Sequence, residues 1–104
     1  MTTFKPLEIA DIEIITQMMQ DFYAIDNYPM DIEVAKTLFQ EFISNEHLGK
    51  SWLIYSENEI VGYIILTFIF SFEYGGKIAF VDELFIKETA RGKGIGKDAI
   101  QFIQ

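Results

Sequence analysis

Seven residues near the C-terminus, Arg91 to Lys97 (RGKGIGK), contain three glycines and three cations. An apolar run precedes them, and Ile95, Ala99 and Phe102 then recur at the spacing of one helical face. A strand that passes through a glycine-rich loop into a helix start makes either an anion site or a tight turn whose cations are simply solvated. The first N–H groups of a helix have no internal partner, and the helix dipole places partial positive charge beside them. Glycines let an anion reach the backbone and permit the left-handed angles that turn successive N–H groups inward. Just upstream, Asp82 and Glu83 interrupt the greasy run IAFVDELFI and are candidates to carry a proton. Tyr23, Asp26, Asn27 and Tyr28, with Glu73 and Tyr74, offer acid and aromatic groups to a cationic ligand.

The spacing narrows the anion. A nucleotide-binding Walker loop needs G-x-x-x-x-G-K-[ST]; here Asp98 follows Lys97, and Arg91 stands where the first glycine belongs. Gly94, Gly96 and Ala99 fit the relaxed dinucleotide pattern, but that pattern requires a parallel βαβ unit and an acid about 20 residues further on. The strands preceding this loop read instead as an antiparallel meander.

The elements that must position these residues follow from periodicity. Thr2 to Lys5 is a short strand ended by Pro6. Asp11 caps a helix with Ile12, Ile15, Met19 and Phe22 on one face, and Asp31 caps a second with Ala35, Leu38, Phe39 and Phe42 on its buried stripe, closed by Gly49. SWLIYSE, IVGYIILTFIF and IAFVDELFI are strands, the middle one apolar on both faces and so covered on both. A helix begins at GIGKDAI. The order is β-α-α-β-β-β-α, an α/β chain with a mixed sheet.

Composition excludes several functions. The 104 residues are 50% hydrophobic with a formal net charge of −8, a single domain over 1–104. That charge argues against nucleic-acid and anionic-membrane partners and suits a cationic one. There are no cysteines and one histidine, His47, so no metal site is expected and neither thiolate nor Ser-His-Asp chemistry is supported. His47 reads as a solvated helix-end residue. The first residues lack a signal-peptide pattern, and the longest apolar run is too short to span a bilayer as a helix; a cytoplasmic protein is expected.

Arg91-x-x-Gly94-x-Gly96 resembles the [QR]-x-x-G-x-[GA] pyrophosphate loop of the GNAT superfamily, the acyl-CoA-dependent N-acyltransferases. DELFIKETARGKGIG is similar to that family's fourth strand, loop and third helix, and the element order matches throughout. GYIILTFIFSFEYGGKIAFVDELFIKETARGKGIG most resembles the polyamine (diamine) N-acetyltransferase branch.

The resemblance implies roles. Backbone amides of Arg91, Gly92, Lys93, Gly94, Ile95, Gly96 and Lys97 would hold the diphosphate of acetyl-CoA. Leu84, Phe85 and Ile86 would present main-chain groups to the pantetheine, one amide polarising the thioester carbonyl. The acceptor would be a small or polyamine-like primary amine, bordered by Tyr23, Asp26 and Tyr28 and joined by Glu73 and Tyr74. Asp82 aligns with the base-like position, through a water, and Glu83 lies next to it. Strand alternation would send the two carboxylates to opposite faces, so that one meets the cleft.

Family members continue past the third helix with further strands and a helix, so the resemblance implies a domain incomplete at its C-terminus. Such a domain would be a fragment of a longer product, or would complete itself by pairing with another copy, as a homodimer. The alternative is a non-catalytic module of the same fold that dimerises or binds CoA without turnover.

Overall fold

The computed structural model describes residues 1–104. Strand β1 (Thr2–Pro6) is followed by a 3₁₀ turn at Ile9–Asp11 and helices α1 (Ile12–Ile25) and α2 (Ile32–Ser44). Strands β2 (Gly49–Ser56), β3 (Glu59–Ser71) and β4 (Gly76–Ile86) come next, then a 3₁₀ turn at Glu88–Ala90 and helix α3 (Ile95–Ile103). The four strands form one antiparallel sheet in the order β1-β2-β3-β4, which leaves β4 at an edge.

The sheet separates two cores. Tyr63 and Ile65 of β3 face α1 and α2, packing with Ile12, Ile15, Met19, Phe39 and Phe85. Ile64 and Leu66 face the other way, onto Ile95 and Ala99 of α3 with Ile54 and Val61. This is why β3 is apolar on both faces. Residues i and i+2 share a face of a strand, and here each face has its own helical cover.

Asp31 caps α2 as expected, its Oδ1 accepting from the N–H groups of Glu33 at 3.0 Å and Val34 at 3.2 Å. Asp11 does not cap α1. Its Oδ2 accepts from the Glu8 N–H at 3.0 Å and from Lys5 Nζ at 2.6 Å, so the carboxylate closes the preceding 3₁₀ turn and pins it to β1. Leu38 is 58% exposed, outside the α2 stripe assigned to it; Ala35 and Phe39, about one turn apart, are the α2 residues that are buried. Gly49 opens β2, and α2 ends earlier, at Ser44. His47 lies exposed in the turn between them.

Two local features shape the β4 edge. Gly62 faces Ile86 across the ladder, and a Cβ on it would lie 2.0 Å from the Phe85 carbonyl oxygen. Only glycine lets the two strands approach this closely. The register also shifts: Ile65 pairs with Glu83 but Leu66 with Val81, leaving Asp82 as an extra residue, a β-bulge.

Candidate functional site

The glycine loop leaves β4 through the 3₁₀ turn and enters α3. Gly92 and Gly94 have φ of 82° and 77°, the left-handed region that side-chain-bearing residues rarely adopt. Gly94 is the N-cap of α3 and offers no side-chain oxygen to the helix N–H groups. A serine or aspartate there would have engaged them. The N–H groups of Gly92, Lys93, Gly94, Ile95, Gly96 and Lys97 accordingly donate to no protein atom; the first engaged amide of the helix is Asp98, which donates to the Gly94 carbonyl at 3.0 Å. Nothing lies within 4 Å of where a Cβ on Gly92, Gly94 or Gly96 would stand, so the cradle is open.

Arg91 departs from the expectation. Its own N–H donates to the Glu88 carbonyl at 3.2 Å and is not available to a ligand. Its side chain is positioned instead, with Nε donating to the Ile86 carbonyl at 3.0 Å. Thr2 Oγ1 donates to Asp98 Oδ2 at 2.8 Å and ties the first turn of α3 to β1.

A groove of about 330 Å³ joins this loop to the edge strand, lined by Leu84, Phe85, Ile86, Arg91, Gly92, Gly94, Ile95 and Gly96 and ended by Phe22 of α1. The Lys87 N–H donates to the Val61 carbonyl at 2.7 Å. Alternation along the ladder then directs the main-chain groups of Phe85 toward β3 and those of Leu84 and Ile86 away from it, into the groove. Phe85 thus contributes its ring to the core, not its backbone to the groove. The Ile86 carbonyl is taken by Arg91, which leaves the Leu84 peptide groups and the Ile86 N–H facing outward.

Beyond Phe22 a second cavity of about 330 Å³ opens, lined by Phe22, Tyr23, Asp26, Tyr28 and Glu83. Glu83 is held from two sides. Tyr63 Oη donates to Oε1 at 2.8 Å, and Tyr23 Oη donates to Oε2. Burial, and then the carboxylate beside them, push both phenols well above the ordinary tyrosine range, so both stay protonated as donors. Tyr23 is also raised by the charge of Asp82.

The bulge overturns the expectation that Asp82 and Glu83 face opposite sides. Val81 turns to the α3 side with Leu66, while the extra residue lets Asp82 follow Glu83 onto the α1–α2 side. Both line one cavity of about 270 Å³ with Met19, Tyr23, Leu38 and Phe39. Glu83 is half-buried and Asp82 exposed.

Glu73 and Tyr74 are not brought to the site. They sit in the β3–β4 turn, exposed, about 20 Å of strand away from Glu83 at the usual rise per residue. Sequence reasoning missed Phe22 and Tyr63 as site residues. Both looked like core, and only the fold shows one ending a groove and the other gripping a carboxylate. No group of three His, Cys, Asp or Glu side chains comes together. No helix is long and apolar enough to cross a membrane.

The family model described as the acetyltransferase (GNAT) family matches residues 13–104. The chain belongs to the GNAT acetyltransferase family. Among solved structures, this GNAT chain is similar to an integron cassette protein from the mobile metagenome of Cole Harbour Salt Marsh. The two share 37% identity at a TM-score of 0.91, over 96% of this chain and 66% of that one. A possible acetyltransferase from Clostridium difficile 630 shares the fold at 16% identity and a TM-score of 0.86, over 98% and 68% of the two chains. A predicted acetyltransferase with acetyl-CoA from Clostridium acetobutylicum does so at 17% identity and 0.77, over 99% and 71%. The GNAT chain therefore spans about two thirds of the length of these structures. No curated protein matches it by sequence.

Proposed function

We propose that this chain carries the donor half of an N-acetyltransferase site, and that the reaction moves an acetyl group from acetyl-CoA to a primary amine of a small, polyamine-like acceptor. The observation that carries the reading is the row of unengaged main-chain N–H groups from Gly92 to Lys97, open above three glycines. Such a cradle suits a diphosphate, whose charge the α3 dipole and the Lys93 and Lys97 ammonium groups also favour. Acetyl-CoA fits the groove that continues from it, since the outward peptide groups at Leu84 and Ile86 can pair with an extended amide-bearing chain as an added strand would. The solved relative with acetyl-CoA shares this fold.

Acetyl-CoA, when bound, supplies an acyl group already activated as a thioester. The outward Leu84 N–H, free of any partner in the sheet, would donate to the thioester carbonyl oxygen and stabilise the negative charge that develops on it. An alkyl ammonium with a pKa near ~10.4 must lose a proton before it can attack. Asp82, exposed at the bulge, takes that proton through a water. Glu83 is a poorer candidate, because both of its oxygens already accept from phenols. Asp26 and Glu83 supply negative charge to the second cavity, and the rings of Tyr23 and Tyr28, 6.3 Å apart, present faces to a cation.

Calorimetry with acetyl-CoA, followed by a thiol-release assay against spermidine, aminoglycosides and lysine peptides, tests the reading. Binding with release on one of these amines supports it. Absence of any CoA binding removes it, and binding without release on any amine leaves a CoA-binding module in place of an enzyme.

A further inference from the structure

The groove beside the glycine loop and the cavity at the end of α1 have one residue in common, Phe22. On one side its ring ends the groove that runs from the glycine loop along Leu84, Phe85 and Ile86. On the other it forms the wall of the cavity that holds Tyr23, Asp26, Tyr28 and Glu83. We infer that Phe22 sets the length of the acyl chain the donor groove accepts. The inference rests on the acyl-CoA reading above and adds a specificity residue to it.

The diphosphate end of the groove is fixed by the loop, so the acyl group must lie at the opposite end, where Phe22 stands. A single methyl beyond the carbonyl needs little room there. Each added methylene points toward the aromatic wall. The wall is rigid for a reason visible in its neighbours. The Phe22 ring packs on Phe85 at 5.2 Å between centroids, and Phe85 packs on Tyr63 at 5.7 Å. Its chain neighbour Tyr23 lies 5.9 Å away, and the Tyr23 hydroxyl is held by Glu83 of β4. That hydroxyl ties the α1 turn that carries Phe22 to the edge strand. Interiors packed in this way yield to added methylenes only at a cost. Removing the ring would join the two cavities and let an acyl chain run from one into the other.

The test is calorimetric and needs no turnover: titration of acetyl-CoA, butyryl-CoA and hexanoyl-CoA into the full chain and into Phe22→Ala. Burying two further methylenes corresponds to roughly a tenfold gain. The butyryl-to-acetyl affinity ratio should therefore rise about tenfold in Phe22→Ala, with a larger rise for hexanoyl. Phe22→Leu, which retains more of the packing on Phe85, should move the ratio the same way by less. Phe22→Trp should lower it below the wild-type value. An unchanged ratio in a variant that still binds CoA overturns the inference while leaving the acyl-CoA reading standing. A wild-type chain that binds none of the three esters overturns both.

Discussion

Tyr63 and Glu83 meet across the β3–β4 ladder with the phenol donating to the carboxylate at 2.8 Å, and Tyr23 of α1 engages the remaining oxygen. One carboxylate thus joins the fully buried centre of the sheet to the helix that walls both cavities. Truncation of Glu83 to alanine leaves two phenols without an acceptor. Glu83→Ala should lower the unfolding free energy by about 2 kcal/mol, the usual cost of stranding a buried donor, read from urea midpoints. Glu83→Gln, which retains an acceptor oxygen, should lose less.

The same contact sets an alkaline limit on stability. The folded chain holds the Tyr23 and Tyr63 protons more tightly than the unfolded chain, where a phenol titrates near ~10. Below that pH both states are protonated and the stabilisation is complete. Above it the unfolded chain alone releases the protons, so stability falls as pH rises. Lys5 is raised by its hydrogen bonds to Asp11 and Glu8 and adds a loss of the same sign. The comparison that isolates the phenols is therefore Tyr63→Phe against wild type between pH 8 and 11. The variant should be less stable at pH 8, and the gap should narrow as pH rises.

Asp82 and Glu83 should separate in kinetics. Asp82→Asn removes the group free to take a proton and should lower kcat by about 10²- to 10⁴-fold, the usual range for a general base. That loss should shrink as pH approaches the amine's own pKa, where the acceptor needs no base. Glu83→Gln should act mainly on KM for a cationic amine, with kcat retained. Equal kcat losses for both would contradict the assignment.

Gly62 tests the register of the edge strand. Its missing side chain allows the Phe85 carbonyl to lie where a Cβ would come within 2.0 Å. Gly62→Ala must displace backbone, not a flexible side-chain end. It should cost about 1–3 kcal/mol in unfolding free energy and weaken acetyl-CoA binding, because Leu84 and Ile86 move with β4.

Much of this arrangement was legible in the residues and some was not. The element order was readable because helical and strand periods differ, and that order is what separated the glycine loop from an ordinary strand–helix turn with solvated cations. Asp31 was readable as a cap, but the same local signal at Asp11 failed, because Lys5 and the Glu8 N–H take its carboxylate. The side on which Asp82 lies was not, because alternation assumes an unbroken strand and the extra residue at the bulge becomes visible only when β4 is paired with β3. Glu73 and Tyr74 had suitable chemistry, but the length of the β3–β4 hairpin carries them away from Glu83. Tyr63 and Phe22 read as core, and they are largely core. Their second roles come from what stands opposite them in space.

The central claim is that six unengaged amides, Gly92 to Lys97, cup a diphosphate. Amide-resolved NMR of the chain titrated with CoA tests it most directly, with Gly96→Leu as the control. Gly96 has ordinary helical angles and nothing within 4 Å of its Cβ position, so that variant should fold while its side chain fills the cradle. The expected result is a set of saturable shifts at the Gly92, Lys93, Gly94, Ile95, Gly96 and Lys97 amides and at Leu84 and Ile86, abolished in Gly96→Leu. Shifts that bypass the 92–97 amides, or persist unchanged in Gly96→Leu, would contradict it.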